Sequence, residues 1–213
     1  MANDTFSTEC TDCPRLAKFL ADARVSHPAY FAKPVPAFGD DHPKLLIVGL
    51  APGFHGANRT GRPFTGDYAG VLLYETLHRF GFATAPVSES ATDGLRLTGA
   101  RITNAVKCVP PDNKPETSEI KICNKYLKHE LNVLGNNLTV LALGLIAHKA
   151  VLMARGVKQS DFTFGHGARH LLPDGLTLFS SYHCSRYNTS TKRLTPEMFQ
   201  TVFRAIRAHI DQA

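Results

Sequence analysis

The fold of this chain is decided by the stretch Leu45-Leu46-Ile47-Val48-Gly49-Leu50-Ala51-Pro52-Gly53-Phe54-His55-Gly56-Ala57-Asn58-Arg59-Thr60-Gly61-Arg62-Pro63-Phe64-Thr65-Gly66-Asp67. The apolar run at 45–48 predicts a buried strand. The next residues predict a long loop, because closely spaced glycines let the backbone adopt positive φ and approach a ligand. Helical spacing resumes with Leu73, Leu77 and Phe80. This order of elements predicts a ligand site at the carboxyl end of a parallel strand.

Two nucleotide-binding motifs are excluded for this loop. Gly56 and Gly61 have the separation of a phosphate-binding P-loop, but Arg62-Pro63 stands where Lys-Ser/Thr is required. The chain also lacks the G-x-G-x-x-G fingerprint of dinucleotide-binding proteins. The loop therefore suits a base or a sugar better than a triphosphate, and a plain surface connection is the alternative.

The rest of the chain alternates apolar strands with helices. Strands are predicted at 44–50, 99–107, 138–143 and 176–182, and helices at 14–25, 68–81, 116–134, 145–155 and from 196 onward. This pattern predicts an α/β fold with a four-stranded parallel sheet, in a single domain spanning residues 1–213. Parallel strands share a direction, so the loops after residues 50, 107, 144 and 182 should lie at one edge of the sheet.

Net charge and the distribution of apolar residues indicate which partners and which cell compartment to expect. The 213 residues carry a net charge of +6, which favours a polyanionic partner. No run of about eighteen apolar residues is present, so no membrane span is expected. Residues 1–5 lack the basic and apolar regions of a signal peptide, so we expect a cytoplasmic protein. We also expect a monomer.

Two polar residues suited to binding or catalysis lie at the ends of two predicted strands. His183 comes directly after the strand at 176–182, and Asn104 lies near the end of the strand at 99–107. An Asn carboxamide offers a donor and an acceptor together, which matches the edge of a pyrimidine. Taken singly, each residue also fits a purely structural role, and no G-x-S-x-G elbow supports an esterase.

Four segments of the sequence together resemble type-5 uracil-DNA glycosylases, over nearly the whole chain. The resemblance implies the uracil-DNA glycosylase fold, a three-layer α/β/α sandwich with a parallel four-stranded sheet. It also implies an enzyme of DNA base-excision repair in the prokaryotic cytosol, which hydrolyses the N-glycosidic bond of uracil and other deaminated bases. The segments are Gly49-Leu-Ala-Pro-Gly53, Gly56-x-Asn58-Arg-Thr-Gly-Arg-x-Phe64-Thr-Gly-Asp67, Thr103-Asn104-Ala-Val-Lys-Cys108 and His183-x-Ser185-x-x-Asn188 to Thr195.

The resemblance also implies roles for individual residues. Asn104 would bind the flipped base, His183 would stabilise the departing base, and Asp67 would stabilise the sugar cation or orient the attacking water. The expected base-binding residues are Gly49, Ala51, Gly53, Phe64, Asn104 and His183. The expected DNA-binding residues are Arg59, Ser185, Arg186, Tyr187 and Arg193, of which Arg186 or Tyr187 would wedge into the duplex.

Four of the five cysteines form two spaced pairs, Cys10-x2-Cys13 and Cys108-x14-Cys123. Their spacing alone leaves Zn²⁺ and an iron–sulfur cluster open. The resemblance implies a structural 4Fe-4S cluster that ties residues 1–43 to the proline-rich loop after Cys108. Cys184 remains as a free thiol near the predicted pocket.

The sequence departs from related glycosylases near its first motif. Leu50-Ala51 stands where several sister families carry an acidic residue, which favours a broader base range that includes hypoxanthine. Cys184 and Lys192 also replace residues common in sister families. The alternatives are a catalytically silent damaged-DNA binding protein of the same fold, and an iron–sulfur redox protein without base chemistry.

Overall fold

A computed structural model describes residues 5–212 and shows one mixed sheet in this part of the chain. The strands, in chain order, are β1 Phe38–Gly39, β2 Leu45–Gly49, β3 Ala100–Asn104, β4 Thr139–Leu143, β5 Arg169–Leu171 and β6 Thr177–Ser181. Their spatial order is β1-β3-β2-β4-β6-β5. The central four strands are parallel, whereas β1 and β5 pair antiparallel at the two edges. The predicted four-stranded sheet is therefore corrected to six strands around a parallel core of four.

Helices cover both faces of this sheet, which confirms the α/β/α sandwich. Residues of α3 and α7 pack on one face, and residues of α4 and α5 pack on the other. The helices are α1 Pro14–Ser26, α2 Ala57–Thr60, α3 Tyr68–Arg79, α4 Thr117–Leu134, α5 Leu145–Ala154, α6 Arg186–Ser190 and α7 Pro196–Gln212. Every residue of β2, β4 and β6 is buried, as expected for strands covered on both faces.

The sequence analysis did not predict two short helices. The loop after β2 contains the four-residue helix α2, and the segment after β6 contains the five-residue helix α6. The strand predicted at 99–107 ends at Asn104, although Ala105 and Val106 still donate backbone hydrogen bonds to the carbonyls of Gly49 and Leu50. Residues 1–4, on which the signal-peptide prediction depends, lie outside the described residues. None of the helices within 5–212 combines the length and apolar character that crossing a membrane requires.

Candidate active site

The ends of the parallel strands bring the predicted site residues to one edge of the sheet. Gly49, the last residue of β2, lies opposite Asn104, the last residue of β3. On the other side of β2, the Gly144 N–H donates to the Ser181 carbonyl oxygen at 2.8 Å, which joins the ends of β4 and β6. His183 follows β6 by two residues and therefore emerges at the same edge.

A cavity of about 340 Å³ opens at this edge. Seven of the residues predicted for base, sugar or DNA contact line it, together with four that were not predicted. Its lining residues are Leu50, Ala51, Gly53, Ala57, Phe64, Asp67, Ala69, Asn104, Asn113, His183 and Ser185. The structure thus gathers the catalytic candidates around one space large enough for a small ring system.

Phe64 forms an aromatic wall of the cavity in a conformation unusual for a bulky residue. Its φ of 54° lies in the left-handed region, which such residues adopt only where the surroundings hold them. The Tyr74 hydroxyl donates to the Pro63 carbonyl at 2.9 Å, and Gly70 passes so close to the Phe64 carbonyl that no side chain would fit. The Phe64 ring stacks with His183 at 5.8 Å between centroids and 28° between planes.

The absence of a side chain at Gly49 leaves space for the side chains of Phe64 and Asn104. A Cβ atom at Gly49 would lie 2.7 Å from the Phe64 ring and would also collide with Asn104 Oδ1. Gly49 does not line the cavity itself but supports two residues that do. Its observed role is to pack beneath the aromatic wall, and base binding by this glycine stays a prediction.

Asn104 presents an unsatisfied hydrogen-bond acceptor. Its side chain is only 4% exposed, and Oδ1 has no hydrogen-bond partner among residues 5–212. A buried carbonyl oxygen without a donor costs about 1–3 kcal/mol. Such a cost is typical of a functional site, where a ligand supplies the missing partner.

His183 is held by its backbone, while its ring stays free to meet a ligand. The Asn188 side-chain amide donates to the His183 carbonyl at 2.8 Å, and no described residue hydrogen-bonds either ring nitrogen. Burial lowers the pKa of His183 to about 4. The imidazole is therefore neutral at pH 7 and carries one N–H donor.

Asp67 caps the start of α3 and also lines the cavity. As the N-cap of α3 it accepts a hydrogen bond from the Gly70 N–H on Oδ1 at 3.1 Å. Its Oδ2 faces Gly53 and Gly56, where a Cβ would lie within 3.2 Å of Oδ2 at Gly53 and would collide at Gly56. Burial raises the pKa of the Asp67 carboxyl, while N–H groups at the start of α3 oppose that rise.

Arg62 has a structural role in the loop after β2. It is buried and donates to Asp93 at 2.7 Å, to Ser88 at 3.0 Å and to the Ala91 carbonyl at 2.9 Å. Burial opposes ionisation of Asp93, yet Arg62 and neighbouring backbone N–H groups lower its pKa to about 2. Arg62 therefore anchors the loop to residues 88–93 and is not available to a ligand.

Of the predicted DNA-binding residues, only Ser185 lines the cavity. Arg59 is exposed and donates to the Gly66 carbonyl at 3.2 Å. Arg186 lies 5.3 Å above the Tyr68 ring, and Arg193 lies 4.7 Å above the Tyr182 ring. Tyr187 is 70% exposed. Arg186 and Tyr187 are on α6, whereas Arg59 is on α2 and Arg193 follows α6.

The four paired cysteines converge in the structure. Cys10, Cys13, Cys108 and Cys123 line one small cavity between α1, the proline-rich loop and α4. The Lys107 N–H donates to Cys123 Sγ at 3.3 Å, and the Tyr126 hydroxyl donates to Cys10 Sγ at 3.1 Å. Cys184 is buried in a separate core beneath α7.

Burial in the cysteine cavity disfavours the thiolate forms of Cys13, Cys108 and Cys123. Burial, and next the neighbouring Cys123, raise the pKa of Cys13 to about 11, and burial also raises the pKa of Cys108 and Cys123. Within residues 5–212, no group of three or more His, Cys, Asp or Glu side chains is arranged to hold a metal ion. The convergence of four thiols was predictable from the resemblance, but their surroundings were not.

Asn113 is a cavity residue that the sequence did not reveal. It lies in a 3₁₀ turn, Pro111–Asn113, with φ of 56°. The prolines around it indicated irregular structure, and nothing in the local sequence indicated that this turn reaches the cavity. Only the left-handed preference of an Asp-Asn pair signals that the turn is tightly shaped.

Comparison with known proteins places the chain in a family. A family model described as the uracil DNA glycosylase superfamily matches residues 36–207. A type-5 uracil-DNA glycosylase of Thermus thermophilus is 46% identical over 92% of this chain and 91% of its own length. Those of Mycobacterium tuberculosis and Pyrobaculum aerophilum are 41% and 37% identical, over 92% and 93% of this chain and 76% and 88% of their own lengths. The chain therefore belongs to the uracil-DNA glycosylase superfamily, and within it to the type-5 uracil-DNA glycosylases.

Proposed function

We propose that this protein is a hydrolytic DNA glycosylase of base-excision repair, which removes uracil from DNA and leaves an abasic site. The observation that carries the proposal is the unfilled Asn104 acceptor in a cavity shared with Phe64 and His183. Uracil offers an N–H donor beside a carbonyl oxygen, which matches both ends of a carboxamide. An enzyme that acts on a base must first flip it out of the duplex into such a pocket.

The chemistry follows from where charge develops in the reaction. As the N-glycosidic bond breaks, electrons move to the base, and negative charge accumulates on O2 of the uracil. The neutral His183 imidazole donates its N–H to that oxygen and stabilises the leaving group. The sugar becomes cationic, and the Asp67 carboxylate stabilises it and accepts a proton from the attacking water at Oδ2.

The same pocket suits hypoxanthine. Its N1–H and O6 present the same donor and acceptor pair that uracil presents at N3–H and O4. The walls formed by Leu50, Ala51, Ala57 and Ala69 are small or flexible and carry no charge that rejects a larger ring. We therefore include hypoxanthine among the bases removed.

Exposed cationic and aromatic side chains support binding of the DNA strand. Arg59, Arg186 and Arg193 are exposed cations suited to phosphate contacts. Tyr187 exposes 70% of its surface beside Arg186 on α6, and either side chain can occupy the gap that the flipped base leaves. The alternative is a damaged-DNA binding protein without catalysis. The observation behind this alternative is that Cys184 replaces a residue common in sister families.

Excision of uracil tests this function directly. Labelled duplex DNA containing one uracil, incubated with the protein and then treated with alkali, is expected to break at the uracil position. Duplexes with hypoxanthine and with only undamaged bases are the matched substrates. Tight binding to uracil DNA without strand breakage would support the silent binding protein instead.

We propose that Cys10, Cys13, Cys108 and Cys123 hold a 4Fe-4S cluster. The group fits the donor set, because four thiols line one cavity and such clusters take four cysteine thiolates. Each of the four thiolates would bind a separate iron of such a cluster, so the sulfurs would not need to surround a single ion. The cluster would fasten residues 1–43 to the proline-rich loop and complete a single domain, with no part in the chemistry.

Loss of one cluster ligand is expected to release the iron. Anaerobically purified protein should contain iron and acid-labile sulfide and absorb in the visible range. Cys108→Ser should lose most of this iron and lower the melting temperature, since an oxygen ligand binds iron–sulfur clusters poorly. Cys184→Ser is the matched control and should keep its iron. Zinc without sulfide in the wild-type protein would contradict the cluster.

A further inference from the structure

The loop of residues 84–96, between α3 and β3, packs against the loop after β2 without lining the active-site cavity. It is closed at its base, where the Thr84 N–H donates to the Arg96 carbonyl and the Arg96 N–H donates to the Thr84 hydroxyl, both at 3.0 Å. Just outside this closure, Phe82 and Leu97 are buried in the core. The 84–96 loop is therefore a closed unit that is anchored in the core.

Asp93 fixes the shape of the 84–96 loop. Its carboxylate accepts the N–H groups of Glu89, Ser90 and Leu95 at 2.9, 3.2 and 2.9 Å. The same carboxylate binds Arg62 at 2.7 Å, and the side chains of Asp93 and Arg62 are only 14% and 6% exposed. Breaking a buried ion pair is costly, because it leaves an uncompensated buried charge. Asp93 thus holds the loop in one shape and fastens it to Arg62.

Ser88 links the residues on either side of Pro63 and Phe64. The Arg62 guanidinium donates to the Ser88 hydroxyl at 3.0 Å, and that hydroxyl lies 2.7 Å from the Thr65 hydroxyl. The Thr65 hydroxyl in turn donates to the Pro63 carbonyl at 3.2 Å. A guanidinium only donates and a carbonyl only accepts, so this chain of hydrogen bonds runs in one direction from residue 62 to residue 63. The two residues that flank the Pro63-Phe64 pair are therefore tied to one hydroxyl of the 84–96 loop.

The end of this chain controls the backbone of Phe64. The Pro63 carbonyl belongs to the peptide group that leads into Phe64, so hydrogen bonds to it restrict the φ angle of Phe64. It accepts from Thr65 at 3.2 Å and from Tyr74 at 2.9 Å. Phe64 has φ of 54°, a conformation that a bulky residue keeps only where its surroundings hold it.

The direction of the Phe64 ring decides whether it can stack on a base. Stacking on a flat base requires that the ring present its face to the cavity, and it contributes substantially to binding of unpaired bases. The ring now lies nearly parallel to His183, with 28° between their planes. Relaxation of Phe64 to negative φ would turn the ring out of this position.

We propose that the 84–96 loop is a positioning element, in which Ser88 and Asp93 hold the Phe64 ring where it stacks on the flipped base. The inference rests on the proposed glycosylase function, and it gives a role in base binding to residues outside the four segments that resemble the family. Neither Ser88 nor Asp93 lines the cavity, so both act through Phe64. Their loss should weaken binding of a flipped base and leave binding of undamaged DNA unchanged.

The test measures affinity for a duplex with one 2′-fluoro-2′-deoxyuridine, relative to the same duplex without uracil. The fluorinated nucleotide resists cleavage because fluorine destabilises the sugar cation. Ser88→Ala removes the hydroxyl that links Arg62 and Thr65 and is expected to lower this preference about twofold to tenfold, the usual effect of one hydrogen bond. Ser88→Thr keeps a hydroxyl and should restore most of the preference. Ser90→Ala is the matched control from the same loop and should keep the wild-type preference, because the Ser90 hydroxyl contacts the neighbouring Thr92.

Removal of the ring separates positioning from general damage to the fold. In a Phe64→Ala background, Ser88→Ala and Asp93→Asn should each cause no further loss of preference, since residues that act through one another are not additive. Unchanged binding of the undamaged duplex reports that each variant is folded.

Three results would overturn the inference: a loss that persists without the Phe64 ring, an equal loss on undamaged DNA, or equal losses in Ser88→Ala and Ser90→Ala. Absence of uracil excision by the wild-type protein would instead overturn the proposed function. The two failures are therefore distinguishable.

Discussion

Replacing His183 by alanine is expected to slow uracil excision by about 100- to 1,000-fold, the usual cost of removing one donor to developing negative charge. The ring carries no hydrogen bond from the described residues, so its removal leaves no protein group unpaired. Its backbone carbonyl keeps the Asn188 bond at 2.8 Å in the variant. The measurement is single-turnover excision from a uracil duplex, with affinity for uncleavable DNA measured in parallel.

The neutral state of His183 gives this prediction a second readout. Because burial lowers the pKa of His183 to about 4, the ring stays neutral down to about that pH. His183→Gln restores an amide N–H at a similar reach and should recover part of the rate. His129→Ala removes an exposed histidine on α4 and is the matched control. Unchanged excision by His183→Ala, or an equal loss in DNA affinity, would contradict the role.

The parallel core was predictable because burial on both faces leaves a strong trace in sequence. The runs in β2 and β4 are apolar at nearly every position, and no predicted bound of β2, β4 or β6 differs from the observed one by more than one residue. The edge strands β1 and β5 left no such trace. They have only two and three residues and are partly exposed, so neither length nor alternation marks them.

The site was predictable only where residues follow directly from strand ends. Asn104 and His183 could be placed at one edge because parallel strands end together, while their roles came from the family resemblance. Asn113 could not be placed, because the end of its turn is held by Arg15, which lies 99 residues before its partner Lys114. The buried position of Arg62 could not be predicted for the same reason, because its partner Asp93 lies 31 residues away.

Asp67→Asn is expected to slow excision by about 100- to 10,000-fold, the range for loss of a positioned general base. The amide keeps the shape of the carboxylate and an oxygen that can accept the Gly70 N–H, so the cap of α3 should survive. What it loses is the negative charge beside the sugar cation and the ability to take a proton from water. Affinity for uncleavable uracil DNA should change little, and the melting temperature should stay close to that of the wild type.

The pH profile separates a charge effect at Asp67 from a structural one. Burial raises the pKa of this carboxyl, and only its ionised form can accept a proton, so wild-type excision should fall as pH drops through that raised pKa. His183 does not add to this limb until about pH 4, because its pKa is lowered to that value. Asp67→Asn should lose the limb and give a slow rate that is flat with pH. If the variant kept the fall in excision rate at low pH, or lost rate and DNA affinity in parallel, the role of Asp67 would be contradicted. The titrating group and the residue that binds the attacking water would then lie elsewhere.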